Sequence, residues 1–289
     1  MQFSCLPVSL YNDLSAGRLT LAGWFQMAGR LGLDGADMSV AHLASREASY
    51  LAELRGQAEE AGVRIAMLVT YSDFTQPDPV ERQRQQDELK LNIETAARLG
   101  AAFVRVTAGQ AHPGVGREAG VGWAVEGLTG ALELAVAAGI TLAYENHSIG
   151  YGWTHYDFSH AADIFLEIVA RTEGTGLKIL YDTANNLAKG DDPLAVLEKV
   201  KHRLAVLHVN DIRQAGQFEP VVVGSGVVPL ETIFKEVHAT GFDGWISIEE
   251  ASRGGEAGFQ QAIPYVEQLW RRVGGAPRSK ERDGKGSAQ

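Results

Sequence analysis

The sequence predicts a single (β/α)8 barrel over about residues 1–272. Three observations predict it. An amphipathic run, a glycine and an apolar strand recur along the chain, as AGRLG-LDGADMS, AEEAG-VRIAMLV, AARLG-AAFVRVT, AVAAG-ITLAYEN and HATG-FDGWISIEE. Eight such strands in roughly 270 residues match the size of one barrel. No linker divides the repeats, as a doubly wound open sheet with a second domain would require.

The strands are expected at about 3–8, 33–38, 63–70, 102–107, 140–146, 177–182, 204–210 and 245–249. Between them, Leu21, Trp24, Phe25, Ala28 and Leu31 share one helical face, as do Val121, Ala124, Val125, Leu128, Leu132 and Ala135. Gly32, Gly62, Gly100, Gly139 and Gly241 stand where a helix C-terminus needs a left-handed residue. Pro264 interrupts the last helical run and predicts a kink or a late helix start. After Arg272 the chain reads VGGAPRSKERDGKGSAQ, polar and glycine-rich, which predicts a disordered tail over 273–289.

Composition narrows the function classes. The lone Cys5 excludes an internal disulfide and fits a reducing cytoplasm. The opening MQFSCLPVSLYNDL has no basic leader before an apolar core, so no signal peptide is expected. No charge-free apolar run approaches the ~18 residues of a membrane span. With 26 Lys and Arg against 36 Asp and Glu, the net charge of −10 opposes a general nucleic-acid surface. The expected partner is therefore a small molecule, with a homo-oligomer left open.

Four strand tips carry the chemistry. Residues 140–147, ITLAYENH, end an apolar strand in Glu145, Asn146 and His147. LKILYDTANN delivers Asp182, RLAVLHVND delivers His208, and GWISIEE delivers Glu249. Active sites of such barrels lie at the C-terminal strand ends, and strands five to eight are neighbours there. The four side chains can converge as hard-to-borderline donors for one divalent cation. Four separate polar strand ends, each bonded to a helix N-terminus or to solvent, is the bland alternative. Four consecutive tips of matching donor type outweigh it. Strand alternation turns one of Glu249 and Glu250 inward, and parity alone leaves the two open.

ENH, DTANN, HVND and SIEE, in this order and with ligand spacings of 37, 26 and 41 residues, resemble the xylose-isomerase-like superfamily of sugar isomerases and epimerases. The resemblance covers about residues 1–272. It implies that Glu145, Asp182, His208 and Glu249, rather than Glu250, bind Mn²⁺ or Mg²⁺, with Co²⁺ as a substitute. It further implies that Glu145 and Glu249 act as acid and base on opposite faces of a sugar or keto-sugar, as in the ketose 3-epimerase branch. The chain departs from that branch at three places. Asn185 replaces a histidine, Tyr151 replaces a glutamate, and Gln214 replaces an arginine, with Arg213 one place earlier.

Other substrate-binding candidates are His147, Trp153, His112, Asn185, Arg213 and Arg105; for the last, neutralising buried carboxylates is the favoured alternative. His42 reads as a surface residue. Gly224-Ser225-Gly226, after strand seven, could cradle a phosphate with its backbone N–H groups, but a lone GxG with no Lys or Arg within eight residues does not favour it. The leading expectation is a sugar isomerase or epimerase working by proton abstraction next to a carbonyl. A lyase on the same scaffold, as in the superfamily's inosose dehydratases and C-glycoside deglycosidases, is the alternative. An endonuclease IV-like nuclease is remote, because Asn185 stands where a zinc-binding histidine is needed and the charge opposes DNA. A metal-free binding protein leaves the four donor types without a reason.

Overall fold

The structure, a computed structural model, describes residues 1–278. Its strands are β1 (Gln2–Leu6), β2 (Gly35–Ser39), β3 (Arg64–Val69), β4 (Phe103–Val106), β5 (Thr141–Glu145), β6 (Lys178–Asp182), β7 (Leu204–Val209) and β8 (Trp245–Glu249). The main helices that follow them are α1 (Leu21–Arg30), α2 (Ala48–Glu60), α3 (Pro79–Leu99), α4 (Arg117–Thr129), α5 (Ala162–Arg171), α6 (Pro193–Val200), α7 (Leu230–Ala239) and α8 (Gly255–Arg272). All the ladders are parallel and run in the order β1-β8-β7-β6-β5-β4-β3-β2. At the remaining seam, Asp34 N donates to Phe3 O at 3.0 Å, and Phe3 N donates to the Asp34 carboxylate at 2.9 Å. The sheet is thus a nearly closed (β/α)8 barrel, as the repeats predict.

The five helix-ending glycines all adopt φ between 71° and 75°, a region where a side chain would be strained. Pro264 lies inside α8, which already begins at Gly255, so the expected late start does not occur. Beyond α8, Trp270 Nε1 donates to Ala276 O at 3.1 Å and Arg278 Nη1 to Gly32 O at 2.5 Å, tying residues 273–278 back onto the fold. The rest of the expected tail, 279–289, lies outside the described residues. No helix among the described residues is long and apolar enough to cross a membrane.

Apolar residues fall into two layers. Trp24, Phe25, Phe165, Phe234 and Phe259 fill the space between helices and sheet. Leu6, Met67, Val69, Ala143, Leu180 and Val206 fill the barrel interior. Along β8 the interior positions are Trp245, Ser247 and Glu249. Trp245 sits where Gly35 leaves room, since a Cβ there would lie 2.6 Å from its ring. Glu250 therefore points outward, buried under the hydroxyls of Ser9 and Ser252. Parity is settled in favour of Glu249.

Trp24 links the layers: it is fully buried, and its Nε1 donates to Asp37 O at 3.0 Å. Trp24→Ala removes a large core side chain and leaves that carbonyl unpaired, so it should destabilise the protein by about 3–5 kcal/mol. A urea midpoint close to that of the wild type would show that α1 does not hold the barrel in this way.

Candidate active site

Glu145, Asp182, His208 and Glu249 close β5 to β8, and one ligand atom of each lies within 4.8 Å of those of the others. Among the described residues this is the one cluster of three or more His, Cys, Asp or Glu with such spacing. Register explains the convergence: Asp182 pairs with His208 across β6–β7, and both occupy inward positions. His208 Nδ1 stands 2.9 Å from Glu145 Oε1 and 3.1 Å from Glu249 Oε2. Asp182 Oδ1 accepts from the backbone N–H groups of Ala184 and Asn185, both at 2.8 Å. Its Oδ2 is buried with no hydrogen-bond partner. An unpaired buried carboxylate oxygen amid two further carboxylates and an imidazole is a donor set that fits a divalent cation.

The electrostatics are asymmetric. Burial alone would raise Glu145, but Arg105, whose Nη1 is 2.6 Å from Glu145 Oε2, and His208 hold it well below the usual carboxylate range. Asp182 goes the other way: burial and the charges of Glu249 and Glu145 push it well up. Glu249 is also raised, chiefly by burial. Its side chain keeps 15% exposure, against 1% for Glu145, so it faces the mouth. Burial would lower His208, yet the carboxylates around it outweigh that and push it up to about 9.

Of the other candidates, Arg105 belongs to the site as the counter-charge of Glu145. His147 is buried beside it, with Nδ1 3.3 Å from Asp157 Oδ2 and Trp153 edge-on at 5.5 Å. Asn185 follows Asp182 closely, and its Oδ1 is buried without a partner. Asn146 is structural: it donates to Asp182 O at 2.8 Å and accepts from Asp182 N at 2.7 Å, clamping β5 to β6. His112 is committed to Asp73, 2.9 Å away, within a polar knot that includes Gln76 and Gln110. Arg213 is a correction, for its guanidinium is exposed and paired with Glu219 at 2.6 Å. At the Gly224–Gly226 turn, where the sequence does not favour phosphate, the N–H groups of Gly224 and Gly226 donate to the Asp211 carboxylate at 3.0 and 2.8 Å. That nest already holds an anion of the protein's own.

The loop after β5 crosses the mouth of the barrel. Tyr151 Oη lies 2.7 Å from Ser15 Oγ, and its ring meets Tyr11 at 5.5 Å, His42 at 5.7 Å and Tyr71 at 6.4 Å. His42 is therefore half-buried in an aromatic wall, contrary to its reading as a surface residue. Tyr11 and Tyr71 escape sequence reasoning, since a tyrosine just beyond a strand carries no chemical signature by itself. Asp37 escapes it too, although a lone acid inside the strand GADMS was a usable signal.

A family model described as xylose isomerase-like TIM barrel matches residues 25–269. An inosose dehydratase of Geobacillus thermodenitrificans (strain NG80-2) is 27% identical over 143 residues, covering 43% of this chain and 45% of the relative. The match thus spans under half of that relative's length. Among solved structures, an IOLI protein with a bound zinc atom superposes with a TM-score of 0.78 at 17% identity, covering 94% of this chain and 99% of that one. A D-psicose 3-epimerase in the presence of D-fructose gives 0.74 at 15% identity, over 93% and 99%.

His208 holds its proton up to about pH 9, so a cation binding through its imidazole would compete with that proton. Below that value the proton competes, so affinity for Mn²⁺ should rise with pH, up to about tenfold per unit between pH 6 and 8. Calorimetric titration in two buffers of different protonation heat should show proton release at neutral pH. A pH-independent affinity over this range would contradict the arrangement.

Proposed function

The chain belongs to the xylose isomerase-like TIM-barrel family, and we propose that within it the protein is a divalent-cation-dependent lyase of the dehydratase type. Its substrate is a small, sugar-like ketone, and water is lost after removal of the proton next to the carbonyl. The observation that carries this reading is the inequality of the two glutamates. Glu145 is wholly buried and tied to Arg105 at 2.6 Å, whereas Glu249 has no arginine in an ion pair among the described residues and faces the mouth. One competent base suits an elimination better than a two-base exchange of faces. The relation to inosose dehydratases points the same way, as do Tyr151, Asn185 and Gln214 at positions where ketose 3-epimerases differ.

Glu145, Asp182, His208 and Glu249 would hold the cation, Mn²⁺ by the balance of three carboxylates and one imidazole. Such an ion supplies Lewis acidity toward a carbonyl oxygen and eases the build-up of negative charge there. Glu249 takes the proton from the carbon next to the carbonyl. The electron pair left behind forms a carbon–carbon double bond as the hydroxyl on the following carbon departs. His147, backed by Asp157, donates the proton with which that hydroxyl leaves as water. Tyr11, Tyr71 and Tyr151 offer ring faces that suit a cyclic substrate and shield the reaction from solvent.

A second reading is isomerisation or epimerisation. Glu145 and Glu249 stand on either side of His208 Nδ1, and a proton returned to carbon instead of an expelled hydroxyl would give either outcome. Incubating inososes and keto-sugars with Mn²⁺ in D₂O separates the two. Deuterated substrate or its stereoisomer supports the second, and an unsaturated dehydrated product supports the first. In either case Glu249→Gln should lower α-proton removal by about 10²- to 10⁴-fold, because an amide cannot accept the proton. Asp182→Asn should instead act through the cation, so that excess Mn²⁺ recovers part of the rate. Full exchange by Glu249→Gln at saturating Mn²⁺ would remove Glu249 from the base role.

A further inference from the structure

Two polar atoms deep in the barrel have no hydrogen-bond partner although both are sealed from solvent: His208 Nε2 and Asp37 Oδ1. Leaving a buried polar atom unpaired costs about 1–3 kcal/mol, so such atoms call for a reason. The unpaired Asp182 Oδ2 has one in the donor cluster. These two do not, because His208 turns its other nitrogen, Nδ1, to the glutamates.

They are matched in place. Ser4 Oγ and Ser247 Oγ donate to Asp37 Oδ2 at 2.8 and 2.5 Å, fixing the carboxylate inside the barrel. Ser247 is the register partner of His208 across β7–β8, and Ser4 is the partner of Ser247 across β8–β1. Asp182, His208, Ser247 and Ser4 thus form one row around the interior, and Asp37 reaches that row from β2. The His208 charge acts on the Asp37 carboxyl, as expected of close neighbours.

They are also matched in chemistry. An imidazole that binds a cation through Nδ1 carries its proton on Nε2, and ligating histidines almost always give that proton to a carboxylate, carbonyl or water. We propose that Asp37 is the positioning residue for His208, accepting the Nε2 proton directly or through one buried water. It would hold the tautomer and ring angle in which Nδ1 can bind. The proposal rests on the cluster's holding a cation and is independent of which reaction follows.

The test reads cation affinity, with no substrate present. Asp37→Asn and Asp37→Ala should weaken Mn²⁺ binding by about 10- to 100-fold, while the melting temperature of the metal-free protein does not fall in proportion. A purely structural Asp37 predicts the reverse, a lowered melting temperature with affinity unchanged, and that result overturns the proposal. Should the variants fail to fold, the wild type decides. Long-range ¹H–¹⁵N spectra of the Cd²⁺-loaded protein should show His208 protonated at Nε2, with that proton protected from exchange. A proton on Nδ1, or free exchange at Nε2, overturns the proposal. A wild type that binds neither Mn²⁺ nor Cd²⁺ overturns both this inference and the cation reading, whereas loss of affinity without any lyase or isomerase activity leaves this inference standing.

Discussion

The Arg105–Glu145 ion pair is the interaction on which the rest of the site depends. Asp37, Arg105, Glu145, Asp182, His208 and Glu249 share the barrel interior, all but Glu249 almost wholly removed from water. Four are acids, and at these separations an apolar interior screens their repulsion poorly. Arg105 cannot give up its charge, and its one ion pair among the described residues, at 2.6 Å, is with Glu145. Its guanidinium lies 5.0 Å from the ring centre of Tyr71, which fixes the side on which that compensation falls. Asp182 and Glu249, buried and without an ion pair to Arg105, hold their protons more tightly. Such a site is poised to exchange protons for a doubly charged ion.

The barrel itself was legible because its signals are local. Glycine at a helix end, apolar strands and 3.6-residue periodicity each act over a few residues, and Gly32 or Gly139 needed no knowledge of distant contacts. The four donors were legible for a related reason, since a polar residue ending an apolar strand has only one end of the barrel to occupy. What stayed hidden depends on contacts far apart in sequence. Asp37 acquires its meaning from Ser247, 210 residues away. Arg213 and the Gly224–Gly226 turn look available until Glu219 and Asp211 are seen to occupy them. Strand parity alone could not tell Glu249 from Glu250; the resemblance favours Glu249, and the interior face it shares with Ser247 and Trp245 agrees.

The path of the loop after β5 has a consequence for how such a protein can change. The four clustered donors and Arg105 come from β4 to β8, while Tyr11, His42 and Tyr71 follow β1, β2 and β3; Tyr151 meets all three of those rings, and Arg105 also reaches Tyr71. What is grasped and what is done to it are therefore encoded in different stretches of chain. The loops after β1 and β2 carry none of the four clustered donors, whereas the loop after β3 carries Tyr71, which lies against Arg105. Tyr151 is the seam along which new recognition can be sewn onto old reactivity.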